Sequence, residues 1–574
     1  MKILLTAINA KYIHSNLAIY SLRSYAHKYK DQITLAEYTV NHQVADILAD
    51  IYKASPNVIA FSCYLWNLDY IKTLVLELKK LLPDTDIWVG GPEVSYDAEA
   101  FLEECSAVTG VMVGEGEQTF LALSEYYIEK IGSLSQIAGL VYRQPEGVIC
   151  TNSVAKLLNL DEIPFMYESL EDLEHKIIYY ESSRGCPFSC SYCLSSIDKR
   201  LRLRSTELVK REMQFFLDRK VPQVKFVDRT FNCNHAHALE IWRYLGGHDN
   251  GMTNFHFEIA ADLLNEEELR LLAGLRAGLV QLEIGVQSTN QETLREIDRV
   301  MDFEDLTKTV KRIRQGKNIH QHLDLIAGLP FEDYPRFIRS FNEVFELKPD
   351  QLQLGFLKVL KGSKMHQKAS EYGIVYRHAP PYEVLFTKWL SYREILRLKA
   401  VEEMVEVYYN SNQFAYTIER LLQAFVHPFA MFEALSEYYE RQGLCGRSHS
   451  RLGRLEILRN FAREVDDANG ELYDELLILD LYLRENSKSR PAWAKDLTRF
   501  KERISAFYRA EAELPRFLDA YQGVPYRQMI HMTHSEIFCQ DIWKTGIAGS
   551  QMVVFDYRKR DALTGNAAIY ITGD

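Results

Sequence analysis

Two successive series of short apolar segments, separated by amphipathic helical patterns, constrain the fold of this chain most strongly. The first series has five strand-like segments, at residues 2–8, 33–39, 58–64, 86–90 and 110–114. The second series has six, at residues 177–186, 224–231, 255–262, 280–288, 322–330 and 352–360. Strands that alternate with helices pair in parallel, because each crossover helix returns the chain in the same direction. The pattern predicts an α/β fold, in which an N-terminal doubly wound parallel sheet precedes a central partial (β/α)6 barrel similar to a TIM barrel.

A chain of 574 residues is too long for one hydrophobic core. After residue 376 the spacing of apolar residues becomes that of amphipathic helices. Near the end, two strand-like segments, 552–559 and 566–572, flank a turn sequence that is typical of a hairpin. We therefore expect four segments in chain order: a Rossmann-like domain, a linker with a short strand pair, the barrel, and a mostly helical C-terminal domain with a terminal hairpin. Their predicted bounds are 1–140, 141–175, 176–375 and 376–574.

The charge of the chain argues against nucleic acid as a partner. The net charge is −12 and the pI is near 5.8, whereas phosphate binding needs at least a local excess of Lys and Arg. One such excess exists, at Lys199, Arg200, Arg202 and Arg204. Two interpretations of it stay open: a site for a small anion, or a solvated edge segment.

Polar and glycine-rich turns follow the strands of the first series. Doubly wound sheets bind ligands beyond the carboxyl ends of their strands, and glycine lets the backbone approach a large ligand closely. No GxGxxG motif follows the first strand, so a dinucleotide is not indicated. The candidate ligand-binding residues are Asn9, His14, Ser62, Tyr64, Gly90, Gly91, Pro92, Glu93, Gly114, Glu115, Gly116 and Glu117.

Three of the nine cysteines lie within eight residues, as Cys186, Cys190 and Cys193. Thiolate sulfur is a soft ligand that suits iron–sulfur clusters, zinc and copper(I). A closed zinc site normally needs four ligands, and no second CxxC or HxxxH pair is present. Three thiolates on a [4Fe–4S] cluster leave one iron open to a substrate or cofactor. The spacing therefore favours a catalytic iron–sulfur cluster.

The motif Cys186-x3-Cys190-x2-Cys193, with Tyr192 before its last cysteine and its position after the first barrel strand, resembles the signature of the radical S-adenosylmethionine (SAM) superfamily. The resemblance implies that the open iron binds SAM and that one electron from the cluster cleaves SAM to a 5′-deoxyadenosyl radical. It also implies a set of SAM-binding residues. Arg184 and the basic residues 199–204 are candidates for binding a carboxylate group. The implied SAM-binding residues are Tyr192, Asp228, Glu258, Gln287, Ser288, Ile326 and Gly328.

A doubly wound domain directly before such a barrel is similar to the subclass of radical SAM enzymes that bind cobalamin (B12). The turns at 90–95 and 113–117 look like those of this subclass, and the resemblance covers roughly residues 1–370. It implies that the candidate residues of the first domain bind cobalamin. The Asp-x-His-x-x-Gly motif that supplies a lower axial histidine is absent, so we expect cobalamin without a histidine ligand, with His14 near enough to line the site.

The resemblance implies a cobalamin-dependent radical SAM enzyme, most simply one that transfers methyl to an unactivated carbon of a small molecule. Three alternatives stay open: a cobalamin-dependent radical cyclisation or oxidation, an RNA methylthiotransferase, and a non-catalytic sensor of redox state or light. The RNA-modifying enzymes carry three further cluster cysteines in the front domain, where this chain has only Cys63 and Cys105, and they have a basic tail that this chain lacks. No residue names the substrate, and the oligomeric state is not predicted.

The remaining expectations concern location, partners and the other cysteines. The N-terminus lacks the long apolar core of a signal peptide, and no window approaches the ~18 apolar residues of a membrane span, so we expect a soluble cytoplasmic protein. A reductant protein such as flavodoxin or ferredoxin is the expected partner. Cys233, His235 and His237 are either a second metal site or a polar helix start. Core packing is expected of Cys63, Cys105, Cys150, Cys445 and Cys539.

Overall fold

The structure is a computed structural model, and it describes residues 1–543 and 550–572. The described chain forms two compact units. The first unit comprises Met1–Ile319, Ile326–Asp333 and Gly355–Tyr392, and it contains both the cysteine motif and the N-terminal sheet. The second unit comprises His320–Leu325, Tyr334–Leu354 and the residues from Arg393 onward.

A seven-stranded sheet forms the N-terminal part of the first unit. Its strands are β1 (Ile3–Asn9), β2 (Ile33–Thr39), β3 (Val58–Ser62), β4 (Asp86–Gly90), β5 (Gly110–Met112), β6 (Leu140–Arg143) and β7 (Ile149–Thr151). The order is β2-β1-β3-β4-β5-β6-β7, with parallel pairing as far as β5 and antiparallel pairing beyond it. The strand order reverses between β1 and β3, which is where such sheets bind ligands. The strand pair β6–β7 joins this sheet, so the sheet extends past the predicted bound at residue 140.

Helices cover both faces of this sheet because its central strands are apolar on both sides. Leu4 and Ile8 of β1 pack into one core, whereas Ile3, Leu5 and Ala7 pack into the core on the opposite face. Strands buried on both faces have nearly continuous apolar runs, as the sequence of β1 shows. The flanking helices are Leu17–Tyr25, Val44–Ala54, Leu68–Leu81, Pro92–Ser95, Ala98–Glu104 and Glu117–Glu129.

A second sheet, of six strands, follows in the chain. Two-residue strands β9 (Ser183–Arg184) and β10 (Arg202–Leu203) form a separate antiparallel pair beside it. The six strands are β8 (Ile178–Tyr180), β11 (Gln223–Phe226), β12 (Asn254–Ile259), β13 (Val280–Gln287), β14 (His320–Ala327) and β15 (Gln351–Phe356). Their order is β15-β14-β13-β12-β11-β8, which makes β8 an edge strand.

Buried apolar residues alternate with half-buried, mostly polar residues along the strands of this sheet, so the sheet has an apolar face and a polar face. In β13, Val280, Leu282, Ile284 and Val286 are buried, and the residues between them are half-buried and mostly polar. Phe257 of β12 packs edge-on against Trp242, so the apolar face lies against helices. The opposite, more polar face corresponds to the lumen of the predicted partial barrel and is called the lumen side below. The helices of this region are Thr206–Asp218, His235–Gly247, Glu266–Ala273, Gln291–Glu296, Phe303–Gly316 and Lys364–Lys368, and a strand pair β16 (Val375–Tyr376) and β17 (Val384–Phe386) follows.

The second unit is mostly helical. It includes Tyr334–Phe345 and, from Arg393 onward, the helix Tyr392–Met404, followed by a π-helical turn at Val405–Asn410. A three-stranded antiparallel sheet ends it, with β18 (Thr533–Phe538), β19 (Gln551–Arg560) and β20 (Ala567–Thr572) in that order. Strands β19 and β20 form the hairpin that the sequence indicated, whereas β18 was not predicted. The other helices are Ala415–Leu421, Pro428–Arg441, Arg451–Val465, Gly470–Arg484, Lys501–Glu513 and Tyr526–Met532.

The N-terminal parallel sheet, the six-stranded central sheet and the helical C-terminal region confirm the predicted α/β fold class. Among the described residues, no helix combines the length and the apolar character that crossing a lipid bilayer requires.

Candidate functional site

The three clustered cysteines lie on a loop that the β9–β10 pair closes. Arg184 pairs with Arg202 across this short ladder, so the loop between them begins and ends at one point. Gly185 has a φ of +88°, and a Cβ there would lie 2.2 Å from the carbonyl oxygen of Arg200. Only glycine fits this position, because both the backbone conformation and the close approach exclude a side chain. The glycine before Cys186 therefore fixes how the chain enters the motif.

Backbone hydrogen bonds set the shape of the motif itself. The amide of Cys186 donates to the carbonyl oxygen of Asp198 at 3.3 Å, and the amide of Cys193 donates to the carbonyl oxygen of Cys190 at 3.1 Å. The hydroxyl of Ser196 donates to the carbonyl oxygens of both Cys190 and Cys193. These bonds involve only the backbone groups of the cysteines, so they leave the sulfur atoms available for other partners.

The thiol groups have the character of a soft-metal site. None of the three is in a disulfide; Cys186 and Cys190 are buried, and Cys193 is half-buried. Burial raises the pKa of the Cys186 thiol, and the neighbouring Cys193 and Cys190 raise that pKa further. Crowded neutral thiols lose their protons when a metal binds them. The donor set therefore fits an iron–sulfur cluster with three protein ligands.

Arg299 lies beside this donor set, and sequence reasoning missed it. Its Nη1 atom is 3.7 Å from the sulfur of Cys190 and 3.4 Å from the hydroxyl of Tyr192, and its Nη2 atom donates to the carbonyl oxygen of Gly285. Arg299 is half-buried, and a guanidinium next to a thiolate stabilises the negative charge of the sulfur. Arg299 is more than a hundred positions away in the chain, so no local pattern could have indicated it.

Asp228 has a different environment from the one that the resemblance implied. The side chain is buried, and its carboxylate accepts hydrogen bonds from the Ser182 amide at 3.0 Å, the Ser182 hydroxyl at 2.7 Å and the Ser183 hydroxyl at 2.5 Å. Burial raises the pKa of Asp228, while these serine donors lower it. The carboxylate thus joins the end of β11 to the segment that leads into the cysteine loop. Its three bonds make it a structural acid, and its expected SAM contact stays a prediction.

Replacement of Asp228 by alanine is expected to lower the free energy of unfolding by about 3 kcal/mol, because it leaves buried serine donors without an acceptor. Chemical denaturation measures this. Asp218→Ala, at the exposed end of a neighbouring helix, is the control and should change stability by no more than about 0.5 kcal/mol. If Asp228→Ala instead keeps its stability and loses only SAM affinity, the carboxylate binds SAM as the sequence indicated.

Two other predicted SAM-binding residues contact protein atoms. The hydroxyl of Ser288 is buried and donates to Glu332 at 2.7 Å. Gly328 has a φ of +92°, and a Cβ there would lie 2.8 Å from Val384. The glycine therefore lets the Val384 side chain approach the backbone here, and the SAM contact that the resemblance implies for Gly328 stays a prediction.

The remaining predicted residues of this group lie on the lumen side of the second sheet. Glu258 of β12 is opposite Glu283 of β13 in the strand register, and both are half-buried. Gln287 has a φ of +71°, an uncommon conformation for a residue other than glycine. Ile326 is half-buried in β14. These three side chains stay predicted SAM contacts.

A cavity of about 510 Å³ lies at the carboxyl ends of β3, β4 and β5 and reaches the cysteine loop. The Ser62 hydroxyl in its wall is buried and has no hydrogen-bond partner in the described part of the chain. Gly114 has a φ of +82° with open space where a Cβ would be. A buried polar atom without a partner and a glycine turn beside open space both fit a large polar ligand. The predicted cobalamin residues in the lining are Ser62, Tyr64, Gly90, Gly91, Pro92, Gly114, Glu115, Gly116 and Glu117.

Asn9, His14 and Glu93 were expected in this wall and lie outside it. Asn9 donates to Glu37 and to the backbone of His14, and His14 is 2.7 Å from the Tyr179 hydroxyl of the barrel. The Ile177 amide donates to the carbonyl oxygen of Ile13, so the loop after β1 is held against the start of β8. Glu93 is buried. Burial raises the pKa of its carboxyl group above the usual value, and a hydrogen bond from Tyr382 only partly opposes this shift.

The basic residues around the cysteine loop form ion pairs with protein carboxylates. Arg184 binds Glu181 at 2.8 Å, Glu117 at 2.5 Å and Glu115 at 3.4 Å, and Arg202 also binds Glu115. Burial alone would raise the pKa of Glu117, but Arg184 holds that pKa below its usual value. These pairs join the Gly114–Glu117 turn of the first sheet to the cysteine loop. Arg204 and Arg200 pair with Glu212 and Asp198, so of the two interpretations left open for this basic segment, the small-anion site is not supported.

The possible second metal site does not form. The ring of His235 lies against Glu268, whereas His237 is buried with Nε2 3.3 Å from the Ser182 hydroxyl. Burial lowers the pKa of His237 to about 4, which leaves the ring neutral at pH 7. Among the other cysteines, Cys63 and Cys105 are core residues as expected, but Cys445 is exposed, and the core prediction for it is wrong.

Three family models match the chain. A B12 binding domain matches residues 3–124, the radical SAM superfamily matches residues 180–344, and a protein family of unknown function, DUF4080, matches residues 370–555. The B12 match covers the parallel strands β1–β5 of the sheet with the cavity, and the radical SAM match covers the cysteine loop. The DUF4080 match falls on most of the helical C-terminal region.

Curated relatives align with more than half of the chain. An uncharacterized methyltransferase of Pyrococcus horikoshii is 30% identical over 338 residues, which are 57% of this chain and 72% of that protein. The cobalamin-dependent radical SAM methyltransferase TokK of Streptomyces tokunonensis is 25% identical over 340 residues, which are 56% of this chain. The chain spans about half the length of TokK.

Solved structures show the same fold at lower identity. The cobalamin-dependent radical enzyme OxsB, with aqua-cobalamin bound, has a TM-score of 0.58 at 15% identity and covers 88% of this chain and 84% of its own. The methyltransferase TsrM of Kitasatospora setae has a TM-score of 0.54 at 17% identity and covers 65% and 77%. Together with the family models and the relative from Pyrococcus horikoshii, the arrangement of cavity and cysteine loop leads to one assignment: the chain belongs to the radical SAM enzymes that carry a cobalamin (B12)-binding domain.

Proposed function

We propose that this protein holds a [4Fe–4S] cluster on Cys186, Cys190 and Cys193, binds SAM at the open iron and cobalamin in the adjacent cavity, and transfers a methyl group to an unactivated carbon of a small molecule. The observation that carries the proposal is that one cavity has the glycine turns of the first sheet on one side and Arg184 and Asp198, which flank the cysteine motif, on the other. Two cofactor sites thereby adjoin each other.

The residues of this chain have distinct roles in the proposal. The three thiolates hold the cluster, and Arg299 stabilises their negative charge. Ser62 and the Gly91 and Gly114 turns form a polar cradle for the corrinoid; a Cβ at Gly91 would lie 2.4 Å from the Cys63 carbonyl oxygen, so this turn requires glycine. When bound, the cluster supplies the electron that cleaves SAM, and the corrinoid supplies a carrier for methyl. A small reductant protein of the flavodoxin or ferredoxin type would deliver that electron.

Anaerobic reconstitution with iron and sulfide tests the proposal. We expect the visible absorbance of an iron–sulfur cluster, a change in the spectrum of added hydroxocobalamin, and 5′-deoxyadenosine after addition of SAM and dithionite. Methyl transfer also predicts S-adenosylhomocysteine, because one SAM must give up its methyl group. Production of 5′-deoxyadenosine without S-adenosylhomocysteine would favour a cyclisation or oxidation, and the absence of both products would exclude catalysis and favour the sensor.

The described structure does not favour an RNA methylthiotransferase. An RNA methylthiotransferase would need three further cluster ligands in the front domain. The two cysteines considered there, Cys63 and Cys105, are instead packed in the apolar core on one face of the sheet. Burial raises the pKa of both thiols, as expected of packing residues.

A further inference from the structure

Glu181 follows β8 directly and lies where the barrel lumen meets the cavity. In β8, Ile178 and Tyr180 are buried, and the Tyr180 hydroxyl donates to Glu212 of the helix Thr206–Asp218 on the outer face. Successive side chains of an extended segment point to opposite faces, so Tyr179 and Glu181 face the lumen. Glu181 also lines the cavity, together with Tyr64 from the first sheet.

The Glu181 carboxylate is held from one side only. Its Oε2 atom accepts a hydrogen bond from Nε of Arg184 at 2.8 Å, while Oε1 has no hydrogen-bond partner in the described part of the chain. The side chain keeps 22% of its surface exposed, within the cavity wall. Arg184 cannot turn toward the second oxygen, because its terminal nitrogens bind Glu115 and Glu117. The guanidinium thus orients Glu181 and leaves one carboxylate oxygen available to a ligand.

The other two glutamates of the cavity differ in this respect. Both oxygens of Glu115 bind Arg202, and both oxygens of Glu117 bind Arg184, with the Ser21 hydroxyl as a further donor to Glu117. These two glutamates therefore act in the ion pairs that join the turn to the cysteine loop. Of the three, Glu181 alone keeps an acceptor for a ligand in the cavity.

We propose that Glu181 binds the corrinoid by accepting a hydrogen bond from it, with Arg184 as the positioning residue; this rests on the proposed function above. Two parts of a corrinoid donate hydrogen bonds: the carboxamide groups on its rim and the water molecule on its metal. Either donor would reach the carboxylate oxygen that Arg184 leaves unbound. Burial raises the pKa of Glu181, while the Arg184 guanidinium lowers it and favours the charged form, whose hydrogen bonds are stronger than neutral ones. Sequence reasoning assigned no role to Glu181.

Equilibrium titration of the full-length protein with aquacobalamin and with cyanocobalamin, followed by visible absorbance, tests the proposal. Glu181→Ala is expected to weaken binding about tenfold or more, and the isosteric Glu181→Gln about fivefold, because the amide keeps an acceptor but loses the charge. Cyanide replaces the metal-bound water but leaves the carboxamides. An equal loss for both cobalamins therefore identifies a rim carboxamide as the donor, and a loss for aquacobalamin alone identifies the bound water.

Glu77→Gln is the matched control, because Glu77 is an exposed glutamate on a helix of the same domain, paired with Lys80. It should bind both cobalamins like the wild type. If the wild type binds neither cobalamin, the proposed function fails. If the wild type binds and Glu181→Gln, with unchanged thermal unfolding, binds both as tightly, the role of Glu181 is overturned while the proposed function stands. Glu181→Gln decides the question even if the alanine variant does not fold.

Discussion

Cys190→Ala is expected to abolish the iron–sulfur absorbance of the reconstituted protein and to reduce SAM cleavage below detection. Two thiolates cannot hold a cluster whose third protein ligand is missing, and the backbone bonds that shape the loop do not involve the Cys190 sulfur. Iron and sulfide analysis, with assay of 5′-deoxyadenosine, measures the loss. The change removes a thiol from a local loop, so we expect the far-ultraviolet circular dichroism to stay the same.

Cys445→Ser provides the control for this experiment. Cys445 is exposed in the helical unit, so its substitution should leave both iron content and cleavage unchanged. Full retention of cluster and cleavage by Cys190→Ala would contradict the assignment of the three ligands. Loss of cleavage with normal iron content would instead place Cys190 outside the ligand set and make it a SAM-site residue.

Arg184→Ala is expected to lower the free energy of unfolding by about 3–5 kcal/mol, because it leaves the carboxylates of Glu115, Glu117 and Glu181 without their shared partner in a mostly buried site. Arg184→Lys should have an intermediate effect, since a single ammonium cannot reproduce a guanidinium that binds three carboxylates. Urea denaturation at pH 7 measures both. Arg200→Ala, on the same loop and 73% exposed, should change stability by no more than about 0.5 kcal/mol.

The loss of stability caused by Arg184→Ala is expected to be smaller at acidic pH than at pH 7. The pKa of Glu117 in the folded protein is held below its usual value by Arg184, despite the opposing effect of burial. A lowered carboxyl pKa stabilises the folded state above the unfolded pKa, and the stabilisation disappears as pH falls through the folded pKa. The difference in stability between wild type and Arg184→Ala should therefore narrow in acid, below the usual pKa of a glutamate. A difference that is the same at pH 3 and pH 7 would contradict the ion-pair explanation.

Strand positions and the fold class were predictable because they depend on local periodicity. The continuous apolar run of β1 reflects burial on both faces of its sheet, and the alternation of buried and half-buried residues in β13 reflects burial on one face. Both patterns can be recognised within eight residues. The sequence also predicted the hairpin of β19 and β20. It did not predict that β6 and β7 extend the first sheet, because short antiparallel strands after a loop have no signal that names their partner strand.

Partners of charged side chains were not predictable in the same way. The resemblance implied SAM contacts for Arg184 and Asp228, which stay predictions, but it did not indicate that these side chains also bind Glu117 and Ser182. A buried charge takes whichever partner the fold brings within hydrogen-bond distance, and here one of those partners is 67 residues away.

The sequence by itself determined the three-thiol motif, the glycine before it and the two α/β domains, because ligand spacing, backbone conformation and apolar periodicity are local properties of a chain. Only the tertiary structure decided which side chains surround the motif. Arg299 beside Cys190, the Arg184 ion pairs to the first sheet, and the one-sided position of Glu181 all depend on contacts between segments far apart in the chain. Such contacts follow from how the sheets pack, and packing is a property of the whole fold.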